Sequence, residues 1–162
     1  MSVGAFPDAK QLDIIYTNES DANLRLLLPP FRLGALPLLE EFCIEGNFAS
    51  DAFMIDFSDA AAEGAFPALL TLNLSLNHIG NLGVRAFASA CARGALPYLT
   101  KLQLRRNFAL GDEAMHVDLA TTLDDRRSLP SLAELLLSQP CCDHQKLISS
   151  CKVRGIKIGK YA

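Results

Sequence analysis

Four short segments of the chain recur at a constant spacing of 30 residues, and this period constrains the fold more than any other feature. They are GAFP at 4–7, GALP at 34–37, GAFP at 64–67 and GALP at 94–97, with a looser copy, SLP, at 128–130. Periods of about 20–50 residues are typical of arrays in which similar supersecondary units stack on one another. The sequence therefore predicts one array of similar units.

An apolar pattern follows each of these segments, and in the three central copies it ends in asparagine. The central copies are Leu39, Phe42, Ile44, Asn47; Leu69, Leu72, Leu74, Asn77; and Leu99, Leu102, Leu104, Asn107. The flanking copies lack the asparagine: Ala9, Leu12, Ile14, Thr17; Leu132, Leu135, Leu137, Pro140; and a truncated copy, Val153, Ile156, Ile158. Alternation with period 2 predicts a short strand whose apolar side faces the core. The asparagine amide can donate and accept, so we expect it to satisfy backbone groups between stacked units.

The second half of each unit changes to a helical period. Val84, Phe87, Ala88 and Cys91 stand at i, i+3, i+4 and i+7, and the copy 30 residues earlier is Met54, Phe57, Ser58 and Ala61. We predict Ser50 or Asp51 as the N-cap of the earlier helix, and Gly64 and Gly94 as the points where the helices end. Each unit is thus a strand, a turn and a helix.

The pattern L-x-x-L-x-L-x-x-N followed by a helix resembles the leucine-rich repeat family, in its ribonuclease-inhibitor-like subtype, over roughly residues 4–160. The resemblance implies an α/β solenoid: a right-handed curved coil with a parallel β-sheet on the concave face and helices on the convex face. We expect a single domain over 1–162. Its repeats are placed at approximately 4–33, 34–63, 64–93, 94–127 and 128–150, with a partial repeat at 151–162.

Composition excludes several classes of function. The 15 Lys and Arg residues against 18 Asp and Glu leave a net charge of −3, so the sequence has no basic reservoir for nucleic acid. It has no apolar run of about 20 residues for a membrane, and its amino terminus lacks the pattern of a secretory signal. The five cysteines show no disulfide spacing and predict free thiols in a reducing compartment. We expect a location in the cytoplasm or the nucleus.

Motifs for catalysis, metals and cofactors are missing. Cys141, Cys142, His144 and Cys151 are close in sequence but lack the C-x-x-C spacing of zinc sites. Gly80 and Gly83 lack the Lys and Ser or Thr of a phosphate-binding loop. We therefore expect a protein that is not an enzyme, with no catalytic residue, metal, cofactor or small-molecule substrate.

The side chains that point outward from the three central strands form the candidate partner-binding surface, called here the concave strip. They are Glu41, Cys43, Glu45, Thr71, Asn73, Ser75, Lys101, Gln103 and Arg105. Their charge runs from acidic to basic, which favours a partner with complementary patches; an ordinary solvated sheet face is the alternative. At roughly 4.8 Å between strands, six strands offer only about 350 Å². A standard interface buries about 800 Å² per partner, so we expect modest affinity unless loops contribute.

Loops beside the strands would extend this surface. They comprise 18–21, 78–81 and 108–113, and Phe48 and Phe108 stand at equivalent positions after their asparagines. An exposed aromatic there could anchor a partner, whereas a buried one would pack between repeats.

The strand register also predicts that Leu72→Asp unfolds the array and that Asn73→Asp has little effect.

The sequence favours a protein-interaction module that binds a protein partner through the concave strip and the adjacent loops. Two alternatives stay open. The resemblance extends to Ran GTPase-activating proteins, so the chain could regulate a small GTPase. It could also be part of a longer array that associates through uncapped ends.

Overall fold

Six short parallel strands lie side by side in the order in which they occur in the sequence. The structure, a computed structural model, describes residues 8–107, 113–138 and 143–161. The strands are β1 Gln11–Asp13, β2 Glu41–Cys43, β3 Thr71–Asn73, β4 Lys101–Gln103, β5 Glu134–Ser138 and β6 Lys157–Tyr161. Since each strand pairs only with its neighbours in sequence, the sheet grows by one strand per repeat, as the 30-residue period predicts.

Helices connect the strands and cover one face of the sheet. They are α1 Asp21–Arg25, α2 Leu28–Arg32, α3 Asp51–Ala62, α4 Asn81–Ala92, α5 Glu113–Asp124 and α6 Gln145–Arg154. From α3 onward, each of these helices packs against the next one. The other face of the sheet carries the concave strip. Among the described residues, no helix is both long and apolar enough to cross a bilayer.

The strand register keeps the 30-residue step through the first four strands and then departs from it. Leu72 lies beside Phe42 on one side and Leu102 on the other. The next step pairs Lys101 with Glu134, and the last pairs Glu134 with Lys157. The apolar residues of the four patterns from Leu39 to Leu137 are buried, which confirms the predicted core face.

An aromatic cluster fills the core between the second and third repeats. The rings of Phe42 and Phe57 are 6.2 Å apart, and the rings of Phe57 and Phe66 are 4.7 Å apart. Phe31 meets Phe42 edge to face at 5.7 Å. Offset and edge-to-face pairs of this kind add to the free energy gained from burial, because the edge of one ring faces the electron-rich face of the next.

The repeat asparagines form a buried ladder of hydrogen bonds between neighbouring repeats. The Asn77 amide donates to the carbonyls of Ile44, Leu74 and Ser75, and its Oδ1 accepts from the Ala49 amide at 3.0 Å. Asn47 and Asn107 make equivalent bonds one repeat before and one repeat after. The structural role predicted for Asn47, Asn77 and Asn107 is confirmed, since these bonds satisfy backbone groups where the chain leaves each strand.

A second ladder joins the helix starts. Ser50 caps its own helix, as predicted, because its hydroxyl accepts from the Ala52 amide at 3.1 Å. Asp51 instead caps the next helix: its Oδ1 accepts from the Gly80 amide at 2.7 Å and the Gly83 amide at 2.8 Å. A carboxylate at a helix N-terminus also interacts favourably with the helix dipole. Asp21 does the same for α3.

The sixth strand begins two residues later than the sequence pattern predicts. Ile158, rather than Ile156, pairs with Leu135, and Val153 is 72% exposed on the last turn of α6. The reason is that α6 continues to Arg154 and ends at Gly155, whose φ of +73° turns the chain directly into the strand. A shift of two residues keeps the same side chains on each face of the sheet.

Candidate partner-binding surface

The concave strip is exposed for most of its predicted residues but not for all. Glu41 is exposed, and six of the others are partly exposed: Cys43, Glu45, Thr71, Lys101, Gln103 and Arg105. The prediction that Asn73 and Ser75 are available to a partner is wrong, because they are only 8% and 5% exposed.

Hydrogen bonds within the sheet explain why these two side chains are withdrawn. The Asn73 amide donates to Glu45 Oε2 at 2.7 Å, and its Oδ1 accepts from the Ser75 amide at 3.1 Å. An Asn73→Asp change would therefore place a second carboxylate against Glu45, where like charges repel. From this contact we expect the substitution to lower stability, in contrast to the expectation from the sequence alone.

The charge gradient across the strip is weaker than the sequence suggests. Lys101 forms an ion pair with Glu134 on the next strand, with 2.9 Å between Nζ and Oε2. The positive side of the strip therefore depends on Arg105 and on the residue after it, Arg106. Arg106 is not among the residues predicted from the sequence, because it follows the alternating strand positions.

One backbone position repeats along the carboxyl edge of the sheet in a left-handed conformation. Its φ angle is +53° at Tyr16, +73° at Gly46, +57° at Leu76 and +53° at Arg106. Non-glycine residues seldom adopt this conformation. Where the surrounding structure holds a non-glycine residue in it, the strained backbone lowers the stability of the protein. At Gly46 a side chain would collide with the ring of Tyr16, so glycine leaves room for that ring to lie across the edge.

Three of these residues, Tyr16, Leu76 and Arg106, line a cleft of about 220 Å³ at the carboxyl edge of the concave strip, called here the edge cleft. Its lining residues are Tyr16, Glu45, Ser75, Leu76, Gln103, Arg105, Arg106 and Ser138. Four of them, Glu45, Ser75, Gln103 and Arg105, belong to the predicted strip. The other four come from the edge turns and from β5. A sequence signal for three of them exists, since Tyr16, Leu76 and Arg106 share one position of the 30-residue period.

Glu45 forms the acidic wall of the edge cleft, and both of its carboxylate oxygens accept hydrogen bonds from other side chains of the protein. Its Oε1 accepts from the Tyr16 hydroxyl at 3.3 Å, and its Oε2 accepts from Asn73. The pKa of Tyr16 is raised, first by loss of hydration and then by the charge of Glu45. On the neighbouring surface, burial also raises the pKa of the Cys43 thiol, so this thiol stays protonated at neutral pH.

The loop beside the strip carries an exposed aromatic pair. Phe48 is 47% exposed, and its ring stacks on His78 with centroids 5.4 Å apart and planes 4° from parallel. The predicted loop at 78–81 therefore does present an aromatic surface next to Phe48. Phe108 and most of the predicted loop 108–113 lie outside the described residues.

Metal ligands do not converge in the described part of the chain. Residues 8–107, 113–138 and 143–161 contain no group of three or more His, Cys, Asp or Glu side chains that could hold an ion. Cys141 and Cys142, from the cluster noted in the sequence, lie outside these ranges. Cys91 and Cys151 are free, buried thiols, and burial raises the pKa of Cys91 to about 12 and that of Cys151 to about 11.

Comparisons with known proteins agree with the architecture. A family model described as Leucine Rich repeat matches residues 67–88. The solved structure of leiomodin-1 actin-binding site 2 is similar, with a TM-score of 0.77 and 15% identity, covering 93% of this chain and 82% of that one. The Caenorhabditis elegans tropomodulin C-terminal domain has a TM-score of 0.72 and 12% identity, covering 92% and 86%. A search of curated protein sequences gives no significant match.

Sequence period, sheet topology and these likenesses lead to one identification. The matched residues 67–88 contain Leu69, Leu72, Leu74 and Asn77, the pattern that defines each repeat. At 12–15% identity the similar solved structures show the fold and nothing about a shared partner. Residues 67–88 match the leucine-rich repeat model, and the chain has the fold of a leucine-rich repeat solenoid, in which each repeat adds one strand and one helical segment.

Proposed function

We propose that the chain is a non-catalytic protein-interaction module that binds its partner through the concave strip, the edge cleft and the loop of Phe48 and His78. The observation that carries the proposal is the uncovered sheet face: helices cover one side of the sheet, and the other presents partly exposed polar side chains beside a cleft. Side chains held on a rigid sheet lose little conformational entropy on binding, which favours recognition there.

The loop and the cleft supply area that the strip lacks. The face of all six strands is about 350 Å², so the strip on the three central strands is far below the roughly 800 Å² per partner of a standard interface. Tyr16 and Phe48 are 63% and 47% exposed at the carboxyl edge, where they extend this surface. Aromatic residues are enriched among those that dominate binding energy. We expect affinity to depend on this edge more than on the centre of the strip.

Actin is a defined ligand with which to begin, because the leiomodin-1 structure is named for an actin-binding site.

The alternative of a small-GTPase regulator stays a prediction, and the rate of GTP hydrolysis by a bound GTPase tests it: a binding module leaves that rate unchanged. A location in the cytoplasm or nucleus belongs to the proposal, supported by the free thiols Cys43, Cys91 and Cys151. Association through uncapped ends also stays a prediction, to be tested by light scattering at increasing concentration.

The test compares two variants of equal charge change. The concave variant is Glu41→Lys with Arg106→Glu, and the convex control is Asp59→Lys with Arg93→Glu; all four side chains are exposed. Both variants leave the net charge unchanged and should fold, which circular dichroism checks. Purified actin and cell extract are each offered to the three immobilised proteins.

Partners that bind the parent chain and the convex control but not the concave variant support the proposal. Binding must then be repeated with the purified partner to give dissociation constants. Partners lost with the convex control and kept by the concave variant would contradict the proposal and assign binding to the helical face.

A further inference from the structure

We propose that the edge cleft binds a carboxylate side chain of an acidic peptide segment in the partner, with an apolar or aromatic residue of that segment on Tyr16. This inference rests on the proposed function and specifies the chemistry that the surface recognises.

The edge cleft is lined by two guanidinium groups, Arg105 and Arg106, and one carboxylate, Glu45, so its net charge is positive. Arg106 is exposed and forms no ion pair with any other residue that the structure describes. Arg105 lines the cleft beside it. The acidic lining residue, Glu45, has its oxygens engaged by Tyr16 and Asn73. A guanidinium binds a carboxylate through paired, charge-assisted hydrogen bonds, so an acidic group is the complementary ligand.

Neutral donors complete the polar side of the cleft. Ser138 Oγ accepts from the Arg106 backbone amide at 2.7 Å, which leaves the hydroxyl proton for another acceptor. Gln103 adds a side-chain amide with two protons. A carboxylate has about four lone-pair sites, and these donors together with the Arg106 guanidinium can occupy them.

The size of the edge cleft favours the binding of a single side chain rather than a small-molecule ligand. Its volume of about 220 Å³ lies below the roughly 300–1,000 Å³ of pockets that enclose small-molecule ligands. The exposed surfaces of Ile15 and Tyr16, at 43% and 63%, adjoin the acidic wall. A peptide that places one acidic side chain in the cleft would therefore place a neighbouring residue against an apolar and aromatic surface.

The left-handed backbone at the edge supports a functional reading of these residues. Tyr16 and Arg106 stand on opposite walls and share the unfavourable positive φ, although glycine is accepted at the same position in the second repeat. Strain at non-glycine positions is commonly found at binding sites, where a side chain is needed in one direction.

Selection from a library of random, unphosphorylated short peptides displayed on their encoding messenger RNA tests the inference, with the intact chain as target. We expect the selected peptides to be enriched in Asp or Glu next to Tyr, Phe, Leu or Ile. Synthetic versions are then compared with copies in which Asn and Gln replace the acidic residues. The acidic peptides should bind at least about tenfold more tightly, the equivalent of one strong charged contact.

Two charge reversals show where the acid binds. Arg106→Glu should weaken acidic peptides by about tenfold or more, whereas Arg93→Glu, the same change at an exposed site after α4, should leave binding unchanged. Tyr16→Ala should remove the apolar preference and keep the acidic one. Thermal unfolding confirms that each variant is folded.

The remaining outcomes separate this inference from the proposed function. Peptides that bind the strip and are lost with Glu41→Lys, but show no acidic preference, would overturn the inference and leave the proposed function standing. Equal weakening by Arg106→Glu and Arg93→Glu would overturn it as well. If phosphoserine in place of Glu strengthens binding about a hundredfold, the cleft is a phosphate site, contrary to the inference. Peptides unaffected by any concave change would contradict both.

Discussion

The central repeats and the carboxyl-terminal repeats use different side chains to form hydrogen bonds with the backbone groups between neighbouring repeats. In the centre, a buried asparagine at one position of each repeat joins the carbonyls and amides of neighbouring turns. Near the carboxyl end, single side chains replace the ladder. Ser138 accepts from the Arg106 amide, and Arg154 donates to the carbonyls of Leu123, Ser128 and Leu129.

This difference shows what a repeat period can and cannot encode. Where spacing is constant, one residue meets the same backbone groups in every turn, so the same side chain serves each time. Where spacing changes, as from β4 to β6, the backbone groups fall at new positions and need side chains that no period predicts. Stability should follow the same division.

The largest effect is expected in the regular core. Leu72 is fully buried, so Leu72→Asp would place a carboxylate among apolar side chains and cost more than about 4 kcal/mol, enough to unfold the array. Thr71→Asp, one residue away on the concave face, should change stability by less than about 1 kcal/mol. Urea unfolding measures both. Similar losses at the two positions would show that the register is wrong.

The asparagine ladder should matter more in the centre than at its end. Asn77→Ala removes four buried hydrogen bonds and should cost about 3 kcal/mol of unfolding free energy. Thr17→Ala, at the equivalent position of the first repeat, removes one bond to Asn47 and should cost about 1 kcal/mol or less. Urea unfolding again gives the values. If Thr17→Ala costs as much as Asn77→Ala, the central ladder has no special role.

Arg154 should be the strongest single contributor at the carboxyl end. Its guanidinium donates to three carbonyls, with 2.8 Å to that of Ser128, and Arg154→Met keeps the length of the side chain but removes these donors. We expect a loss of about 2 kcal/mol. The control Lys152→Met, exposed on the same helix, should lie within about 0.5 kcal/mol of the parent. Thermal denaturation measures both variants. If Arg154→Met unfolds at the same midpoint temperature as the parent chain, this role of Arg154 is contradicted.

Thiol labelling compares local opening in the two regions. Cys91 and Cys151 are 0% and 1% exposed, and burial raises the pKa of both, so each reacts only when its surroundings open. Because end repeats open more readily than central ones, Cys151 should label about tenfold faster than Cys91 in the native protein. Mass spectrometry of iodoacetamide-treated peptides distinguishes the two sites. Faster labelling of Cys91 would reverse the comparison.

The smallest effect is expected for the ion pair that joins the two regions. Lys101 and Glu134 are 2.9 Å apart, but more than a third of each side chain is exposed, so water screens their attraction. A double-mutant cycle with Lys101→Met and Glu134→Gln should give a coupling energy below about 1 kcal/mol, and salt should reduce it further. A larger, salt-independent value would mean that the pair contributes to holding the irregular strand in place.

The period in the sequence was sufficient to predict the strands, the core face and the repeat asparagines. It was insufficient for side chains whose environment depends on a neighbour in space. Asn73 and Ser75 alternate correctly for exposure, yet the contact of Asn73 with Glu45 withdraws them. The late start of β6 depends on how far α6 continues, which the short final spacing does not reveal.

The candidate site shows the same limit. Alternation predicted Glu45, Gln103 and Arg105 at the surface, but Tyr16 and Arg106 lie at a turn position outside the strand pattern. Both residues have a left-handed backbone, which places them at the cleft. In a sequence, such a conformation is indicated by glycine and not by Tyr or Arg. Gly46 was that signal, one repeat away from Tyr16.

Hydroxyl-radical footprinting of the chain with and without its purified partner tests the concave-face assignment most directly. Tyr16 and Phe48 at the concave edge, and Leu82 and Ile55 on the helices, are all exposed large side chains in the free protein. We expect the partner to protect Tyr16 and Phe48 from oxidation and to leave Leu82 and Ile55 unchanged. Protection of Leu82 and Ile55 with unchanged oxidation of Tyr16 and Phe48 would contradict binding through the concave face.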